Sequence, residues 1–330
     1  MKTKVAKKTS KQPVLSILIP VYNEEANLPV LFERLRTDLA SLSCAWRVIL
    51  VDDGSRDRSW ELLAAAARQD PRFYAVRLGR NYGQHAAIFA GFSRCDADAV
   101  VTLDADLQNP PAEIPKLVAK FNEGYDVVGG WRQKREDNSL RRTASVWMNR
   151  IVSRATGVPL RDYGCMLRLY SMDVVRLMRE CGETSSFIPA LANCFTDRMV
   201  EIPVEHAERN EGKSRYSLFK LVELLLDLLT GFSMLPLRAL SVIGLVLASC
   251  GIAFGLLLLI LRLMFGPEWA EGGVFTLFAI LFFFVGGQFV AFGTLGEYIG
   301  RIYDEVRRRP QFVIREETEP HVEPKVLRSV

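Results

Sequence analysis

The chain has 330 residues, enough for one large domain with an appendage or for two domains. Charged residues make up 24% of the sequence, which excludes a polytopic membrane protein over its whole length. The lysine-rich stretch 1–13 contains no acid and accounts for the net charge of +4, so nothing suggests a nucleic-acid partner. The six cysteines show no CxxC pairing, which is typical of reduced thiols in a cytosolic domain.

From residue 14 to about 130, apolar β-rich runs alternate with helical patterns. Strands are predicted over residues 15–20, 47–53, 73–78, 99–104 and 126–130, with helices over 27–41, 59–68, 84–92 and 111–122. Regular alternation of near-continuous apolar strands with helices predicts an α/β domain whose mostly parallel sheet is covered on both faces. Ligands of such sheets bind outside the carboxyl ends of the strands.

An apolar run stops abruptly at two carboxylates, Asp104 and Asp106, and Gln108 follows. These positions share parity, so their side chains point the same way if extended geometry persists for a few residues. Carboxylate and amide oxygens suit hard cations such as Mg²⁺ or Mn²⁺. The alternative is a strand-to-helix turn capped by aspartates, and the segment alone leaves both readings open.

A second aspartate pair, Asp52 and Asp53, ends another predicted strand at the same sheet edge. Four carboxylates at one edge repel each other unless a cation or hydrogen-bond donors meet them. A nucleoside diphosphate with a divalent metal would meet that need. On its own, the segment 52–55 slightly favours an alternative, an Asx-turn that leads into a helix.

Basic residues recur where an anionic substrate would need them. Guanidinium groups bind phosphate in a bidentate manner, although charge beside a bilayer is the ordinary alternative. His85 stands without an obvious partner, and a lone histidine is more often structural than catalytic. The sequence contains no P-loop, GxGxxG or Ser-His-Asp order, so kinase, dehydrogenase and hydrolase readings lack support. The basic candidates are Arg132, Lys134, Arg135, Arg168, Arg209, Lys213 and Arg215.

Residues 239–261 and 274–295 contain no charged residue, and each run is long enough to cross a hydrocarbon core of about 30 Å as a helix. A buried core helix is the alternative for either one. Lysines and arginines flank the pair, so the positive-inside rule places both termini and the N-terminal domain in the cytoplasm. Residues 216–236 are predicted to form an interfacial amphipathic helix, and 297–330 a second amphipathic helix and tail.

Six blocks together resemble the polyisoprenyl-phosphate branch of the family 2 inverting glycosyltransferases. They lie between residue 14 and about residue 315, nearly the whole chain. The blocks are Ile19-Pro-Val-Tyr-Asn-Glu24, Val51-Asp-Asp-Gly-Ser55, Asn81-Tyr-Gly-Gln-His-Ala86, Asp104-Ala-Asp-Leu-Gln-Asn-Pro110, Asp162-Tyr-Gly-Cys-Met-Leu-Arg168 and Leu295-Gly-Glu-Tyr-Ile-Gly-Arg301.

The resemblance implies a GT-A (Rossmann-like) catalytic domain over residues 14–215 and a transmembrane hairpin over 237–296. It implies a homo-oligomer, as relatives form tetramers, and a divalent ion, Mg²⁺ or Mn²⁺. Asp162 is the residue to test as a base or acceptor-orienting group, and Arg168 is grouped with the phosphate-binding residues. The implied contacts are uridine at Pro20, Tyr22, Glu24 and Asp53, metal at Asp104, Asp106 and Gln108, and phosphate at Arg132, Arg209, Lys213 and Arg215.

The implied reaction is inverting transfer of a sugar from a UDP donor to undecaprenyl phosphate on the cytoplasmic face of a bacterial inner membrane. The blocks at 81–86, 186–193 and 265–269 look most like members that move 4-deoxy-4-formamido-L-arabinose in lipid A modification and polymyxin resistance. The alternatives are a glucosyl- or mannosyl-type transferase and a non-enzymatic membrane adaptor. Intact Asp53, Asp104, Asp106 and Gln108 argue against the adaptor.

Overall fold

The computed structural model describes residues 14–132, 162, 164–181, 188–205, 235–265, 274–307 and 310–318. The chain divides into two compact units, a sheet unit that includes residues 14–132 and 310–318, and a helical unit that includes 235–307. The predictions for 1–13, Lys134, Arg135, most of the interfacial helix, and Arg209, Lys213 and Arg215 fall outside the described residues.

The sheet unit is built on one eight-stranded sheet in the order β7-β5-β6-β4-β1-β2-β3-β8. Strand β1 is parallel to β2 and β4, β2 to β3, and β5 to β7, whereas β6 is antiparallel to β4 and β5. The predicted mostly parallel α/β sheet is therefore confirmed. The strands are β1 Leu15–Val21, β2 Trp46–Asp52, β3 Phe73–Leu78, β4 Ala99–Thr102, β5 Val127–Arg132, β6 Arg168–Ser171, β7 Met199–Val204 and β8 Ile314–Glu317.

Helices cover both faces of the sheet, which explains why the strands are apolar at nearly every position. Ile17 packs in the core on one face and Leu18 in the core on the other. Residues of α1, α2 and α4 join the first core, and residues of α3, α5 and α6 join the second. These helices are α1 Leu28–Asp38, α2 Ser59–Gln69, α3 Gln84–Phe92, α4 Ile114–Asn122, α5 Met172–Cys181 and α6 Ile188–Asn193.

The C-terminal segment corrects one prediction, because residues 310–318 belong to the sheet and not to an amphipathic helix and tail. Strand β8 runs antiparallel to β3 at the sheet edge. The N–H of Gly79 donates to the carbonyl of Val313 at 2.8 Å, and the N–H of Thr318 donates to that of Ala75 at 2.9 Å. The strand escaped prediction because a charged edge strand exposes most of its side chains and lacks apolar alternation.

The helical unit contains α7 (Leu235–Phe265) and α8 (Val274–Val306). Among the described residues, Ala239–Phe265 is the helix with the length and apolarity to cross a membrane, with mean hydropathy 2.6 and none of its most apolar stretch buried. This exposure disfavours the core-helix alternative for α7. Helix α8 is continuous across the second predicted span and on to Val306, so residues 297–306 extend that helix. The two-span arrangement stays a prediction.

Glu317 fastens β8 to the rest of the sheet unit. Its Oε2 accepts a hydrogen bond from the Tyr74 hydroxyl at 2.6 Å and from Arg94 Nε at 2.8 Å. The Arg94 guanidinium and the Tyr74 hydroxyl together hold the pKa of Glu317 below its ordinary value of 4.5. We therefore expect Glu317→Gln to lower stability by about 1 kcal/mol, since the ion pair is partly exposed. Thermal unfolding at pH 7 should show a melting temperature lower by about 2–4 °C.

The pH dependence of this loss has a definite sign. A carboxyl whose pKa is lower in the folded state stabilises the fold above its unfolded-state pKa and stops doing so as the pH falls through its folded-state pKa. The difference between wild type and Glu317→Gln should therefore shrink as the pH falls below about 4.5 and vanish once the pH is below the folded-state pKa of Glu317. Glu316→Gln, on the same strand, is the matched control and should change little. A Glu317→Gln loss that persists unchanged at low pH would contradict this assignment.

Candidate active site

Four loops meet at the carboxyl edge of the parallel strands β1 to β4. They comprise residues 22–27, 53–58, 79–83 and 103–110. Because parallel strands end at the same edge, the folding of the sheet is enough to bring these loops together. Every described residue predicted to contact a nucleotide or a metal lies in these loops, or, for Pro20, just before the first of them.

The loops after β1 and β2 are joined by hydrogen bonds. The N–H of Asn23 donates to Ser55 Oγ at 3.0 Å, and the N–H of Glu24 donates to Ser59 Oγ at 2.9 Å. In return, the N–H of Arg56 donates to Asn23 Oδ1 at 2.8 Å. Asn23 has φ 55°, a left-handed conformation that asparagine tolerates better than most residues. These contacts fix the loop that carries Tyr22 and Glu24.

The four predicted uridine residues occupy different surroundings. Pro20 lies in β1 opposite Val51 of β2. The pairing of β1 with β4 ends at Leu18, so the proline, which has no N–H to donate, breaks no hydrogen bond between β1 and β4. The Tyr22 side chain is 42% exposed, and its ring is accessible for stacking on a base. Glu24 is half-buried, and its Oε2 accepts from Asn27 Nδ2 at 2.6 Å.

Asp52 and Asp53 are both buried, and each accepts at least one hydrogen bond within the protein. Asp52 Oδ1 accepts from the N–H of Ser55 at 3.1 Å, and Arg77 Nε lies 3.3 Å from Oδ2. The Asp52 carboxylate therefore accepts from a backbone N–H three residues on, whereas the predicted alternative was an Asx-turn that leads directly into a helix, and α2 begins only at Ser59. Asp53 accepts from the N–H groups of the third loop, at 2.8 Å from Tyr82 and 2.9 Å from Gly83. Burial raises the pKa of both carboxyls, and these hydrogen bonds oppose the rise.

Gly54 allows the third loop to approach. Its φ is +70°, and a Cβ there would lie 2.5 Å from the carbonyl carbon of Arg80 and 2.7 Å from the amide nitrogen of Asn81. Both distances are shorter than van der Waals contact, and both neighbours are backbone atoms that cannot rotate away. Asp53 and Gly54 therefore fix the third loop by hydrogen bonding and by close packing, respectively.

The segment that follows β4 corrects the parity argument. Strand β4 ends at Thr102, and the chain turns through 105–109 with Leu107 at φ 63°. The N–H of Gln108 donates to Asp106 Oδ1 at 3.1 Å, which closes the turn. The expectation of extended geometry through Gln108 is wrong, because a left-handed residue and an aspartate turn interrupt it. The role of Gln108 as a third ligand stays a prediction that parity no longer supports.

Asp104 accepts a hydrogen bond from a neutral amide and has a second carboxylate nearby. Burial and the neighbouring Asp106 raise the pKa of Asp104 to about 7, although a hydrogen bond from Gln84 Nε2 at 2.8 Å opposes the rise. Arg132 lowers and Glu24 raises the pKa of Asp104 by longer-range interaction. The structure therefore brings Glu24, Asp104, Asp106 and Arg132 together. Gln84, the first residue of α3, is a member of the site that the sequence patterns did not single out.

This donor set fits a divalent ion that also binds a phosphate. In the described part of the chain, no group of three or more His, Cys, Asp or Glu side chains could hold a metal. Mg²⁺ is commonly held by one or two carboxylates plus substrate phosphates and waters, and the Asp104–Asp106 pair meets that requirement. A cation there would also offset the burial and the repulsion from Asp106 that together raise the pKa of Asp104.

Arg132 and Asp162 form a bidentate ion pair at the end of β5. Arg132 Nε and Nη2 donate to the two carboxylate oxygens of Asp162 at 2.6 and 2.9 Å, and the N–H of Gly164 adds a third bond at 3.0 Å. Asp162 thus orients Arg132, which is itself close enough to Asp104 to influence its pKa. With both oxygens occupied, Asp162 is poorly placed to accept a proton from a substrate.

Arg168 lies in the core, where a phosphate cannot reach it. Its side chain is 1% exposed, with Nη2 donating to the Asp162 carbonyl at 2.6 Å and Nε to the Cys165 carbonyl at 3.0 Å. The structure therefore corrects the grouping of Arg168 with phosphate ligands, because its guanidinium braces the loop that carries Asp162. His85 is consistent with a structural role, since burial lowers its pKa to about 4 and leaves the imidazole neutral.

A mostly parallel sheet with an inserted antiparallel strand, and a carboxylate pair after its fourth strand, defines a GT-A fold of the glycosyltransferase class. Two solved structures share the fold, both of glucosyl-3-phosphoglycerate synthase from Mycobacterium tuberculosis. The complex with phosphoglyceric acid has a TM-score of 0.50 at 18% identity and covers 67% of this chain and 80% of that one. The complex with Mn²⁺, UDP and phosphoglyceric acid has a TM-score of 0.50 at 17% identity, with 66% and 77% covered.

The chain belongs to glycosyl transferase family 2, whose family model matches residues 16–177. It is 55% identical over 302 residues to the undecaprenyl-phosphate 4-deoxy-4-formamido-L-arabinose transferase of Yersinia enterocolitica serotype O:8. The enzyme of the same name from Klebsiella pneumoniae subsp. pneumoniae is also 55% identical over 302 residues. Each match covers 91% of this chain and 92% of the relative.

The close packing at Gly54 can be used to test how the third loop is held in place. Gly54→Ala should displace the third loop, because the new Cβ meets backbone at 2.5 Å. Gly124→Ala is the matched control, since Gly124 also has a positive φ of +102° but open space around it. We expect thermal unfolding to show a loss of about 2–4 °C for Gly124→Ala from backbone strain, and at least twice that for Gly54→Ala. Equal losses would show that the close approach at Gly54 is unimportant.

Proposed function

We propose that the protein transfers 4-deoxy-4-formamido-L-arabinose from its UDP donor to undecaprenyl phosphate, with inversion at the anomeric carbon. The observation that carries this proposal is 55% identity over 91% of the chain to relatives that bear that activity in their names. This similarity extends well beyond the matched family region at residues 16–177. A glucosyl- or mannosyl-type transfer is the alternative from the same chemistry.

The donor would bind at the carboxyl edge between the first and fourth loops. Tyr22 offers an exposed ring for the base, and Pro20, Glu24 and Asp53 complete the proposed uridine side. Asp104 and Asp106, with Gln108 as a third candidate, would hold Mg²⁺ or Mn²⁺. When bound, that ion would act as a Lewis acid that neutralises the departing diphosphate.

The acceptor phosphate needs little help from a base. A phosphate monoester has a second pKa of about 6, so it is already largely dianionic at cytoplasmic pH. Catalysis can then depend on positioning the attacking oxygen and on stabilising the leaving group. Arg132, oriented by Asp162, supplies a cation beside Asp104. Arg209, Lys213 and Arg215 are proposed as the remaining phosphate contacts.

A lipid acceptor requires the catalytic domain to work at a membrane surface. The exposed apolar helix Ala239–Phe265 supports an anchor in the bilayer. We place the enzyme on the cytoplasmic face of the bacterial inner membrane, with two spans and both termini inside. We also propose that the enzyme forms a homo-oligomer, specifically a tetramer.

The transfer reaction can be tested directly with purified full-length protein in detergent. With undecaprenyl phosphate as acceptor, UDP-4-formamido-arabinose labelled in the sugar should give labelled undecaprenyl-phosphate 4-formamido-arabinose and release UDP. UDP-glucose should give at least about a hundredfold less product, since a polar sugar pocket rejects a mismatched donor strongly. EDTA should stop the reaction and Mg²⁺ or Mn²⁺ should restore it. Preferred turnover of UDP-glucose would favour the glucosyl-type transferase. Full activity in EDTA would show that the reaction does not need a metal.

The raised pKa of Asp104 predicts how metal affinity depends on pH. Below about pH 7 the metal must displace a proton from Asp104, whereas above it the carboxylate is already ionised. Mn²⁺ should therefore bind about tenfold more weakly at pH 6 than at pH 8. Mn²⁺ titration followed by electron paramagnetic resonance would measure this, and Glu317→Gln, remote from the site, should keep the same slope. Equal affinity at the two pH values would exclude Asp104 as the ligand that loses the proton.

A further inference from the structure

A chain of contacts links Asp53 to Asp104 through the start of α3. Asp53 accepts hydrogen bonds from the N–H groups of Tyr82 and Gly83, and Gln84, the next residue, donates its side-chain N–H to Asp104. We propose that Gln84 is a positioning residue that orients the Asp104 carboxylate for a divalent cation, and that Asp53 acts on the cation through Gln84. This inference rests on the metal site of the proposed function.

The first link fixes the start of α3. Gly83, the residue that precedes α3, has φ +96° and, as a glycine, has no side chain to cap the helix. The two bonds from Asp53, at 2.8 and 2.9 Å, hold the N–H groups immediately before Gln84. Gly54 adds close backbone packing against Arg80 and Asn81. The backbone from which the Gln84 side chain extends is therefore fixed from the second loop.

The second link fixes the carboxylate. Gln84 Nε2 lies 2.8 Å from Asp104 Oδ1 and so occupies one acceptor position on that oxygen. A carboxylate has about four acceptor positions, so the remaining ones stay available for a ligand. A hydrogen bond of this kind restricts rotation of the carboxylate, and the loss of such supporting contacts typically weakens metal affinity by about 10–100-fold.

The chemical type of residue 84 suits this task. An amide donates a hydrogen bond without a positive charge, whereas a lysine at the same distance would compete electrostatically with a cation at Asp104. A glutamate would add a further negative charge to a site where Asp106 already raises the pKa of Asp104. Glutamine therefore holds the carboxylate without changing the net charge of the site, so a bound metal ion would be the source of positive charge there.

The competing role for Asp53 makes the inference testable. If Asp53 serves only as a contact for the nucleotide, its substitution should not alter the affinity of nucleotide-free protein for Mn²⁺. If Asp53 acts through Gln84, the two substitutions remove the same interaction. A double-mutant cycle separates these cases, because changes in series are not additive.

The experiment measures Mn²⁺ binding by electron paramagnetic resonance to full-length protein in detergent without nucleotide. Gln84→Met keeps the length of the side chain and removes the donor, and Gln84 is exposed, so folding is not at risk. We expect a 10–100-fold weaker Mn²⁺ affinity for Gln84→Met, a weakening for Asp53→Asn, and a double variant no weaker than the weaker of the two single variants. Gln69→Met, an exposed glutamine at the far end of α2, is the matched control and should bind as wild type.

Each outcome bears on one proposal. Wild-type Mn²⁺ affinity in Gln84→Met overturns the positioning role, provided that Asp104→Ala abolishes binding. Additive losses in the double variant overturn the link from Asp53. Absence of Mn²⁺ binding in wild type, or unchanged binding in Asp104→Ala, overturns the metal site itself and this inference with it. Thermal unfolding of each variant distinguishes a lost fold from a lost ligand.

Discussion

The repulsion among aspartates at one sheet edge is the constraint on which the rest of the structure depends. Burial makes each carboxylate costly to ionise, and proximity adds to that cost. Asp52 is compensated by Arg77 and the N–H of Ser55, and Asp53 by two backbone N–H groups. Asp104 is buried with a neutral amide and a second carboxylate for neighbours, so a cation there would favour its ionised form.

The aspartates at this edge have two different roles. Those whose charge is met by partners within the protein hold the loops in place, and the other two form the proposed metal site. Asp52 and Asp53 bind the second and third loops and hold them at the edge, while Gly54 permits the close approach between them. Asp104 and Asp106 lie in the fourth loop at the same edge. Arg132 is available there because Asp162 orients it, and the buried Arg168 braces the loop of Asp162. A rigid frame of this kind suits a reaction that depends on positioning and on charge stabilisation.

Hydrophobic burial and strand direction are the features of the fold that could be predicted from the sequence. Residues such as Ile17 and Leu18 face opposite cores, so the strand is apolar throughout and its parallel neighbours could be recognised. The same alternation of strands and helices predicted that both aspartate pairs gather at one edge. Residues 133–161 and 206–234, which include Arg209, Lys213 and Arg215, lie outside the described part of the chain, so those predictions stay open.

Local backbone geometry and contacts between distant residues are the features that could not be predicted from the sequence. The turn after Thr102 and the positive φ of Leu107 ended the parity argument, because an aspartate-rich sequence permits both a strand and a turn. Arg168 is buried because β6 lies between β4 and β5, and its guanidinium donates to the nearby carbonyls of Asp162 and Cys165; motif adjacency alone made it look like a ligand. Strand β8 is too polar to be recognised without β3 beside it, and Gln84 gained a role only when folding placed it 2.8 Å from Asp104.

The decisive measurement is the location of a metal ion bound at the carboxyl edge of the sheet. Crystals of the protein with UDP and Mn²⁺, measured by anomalous scattering at the manganese edge, would show where the cation binds. We expect an anomalous peak in contact with Asp104 and Asp106 and none beside Asp52 or Asp53. A peak at Asp52 and Asp53, or bound UDP with no manganese at Asp104 and Asp106, would contradict it.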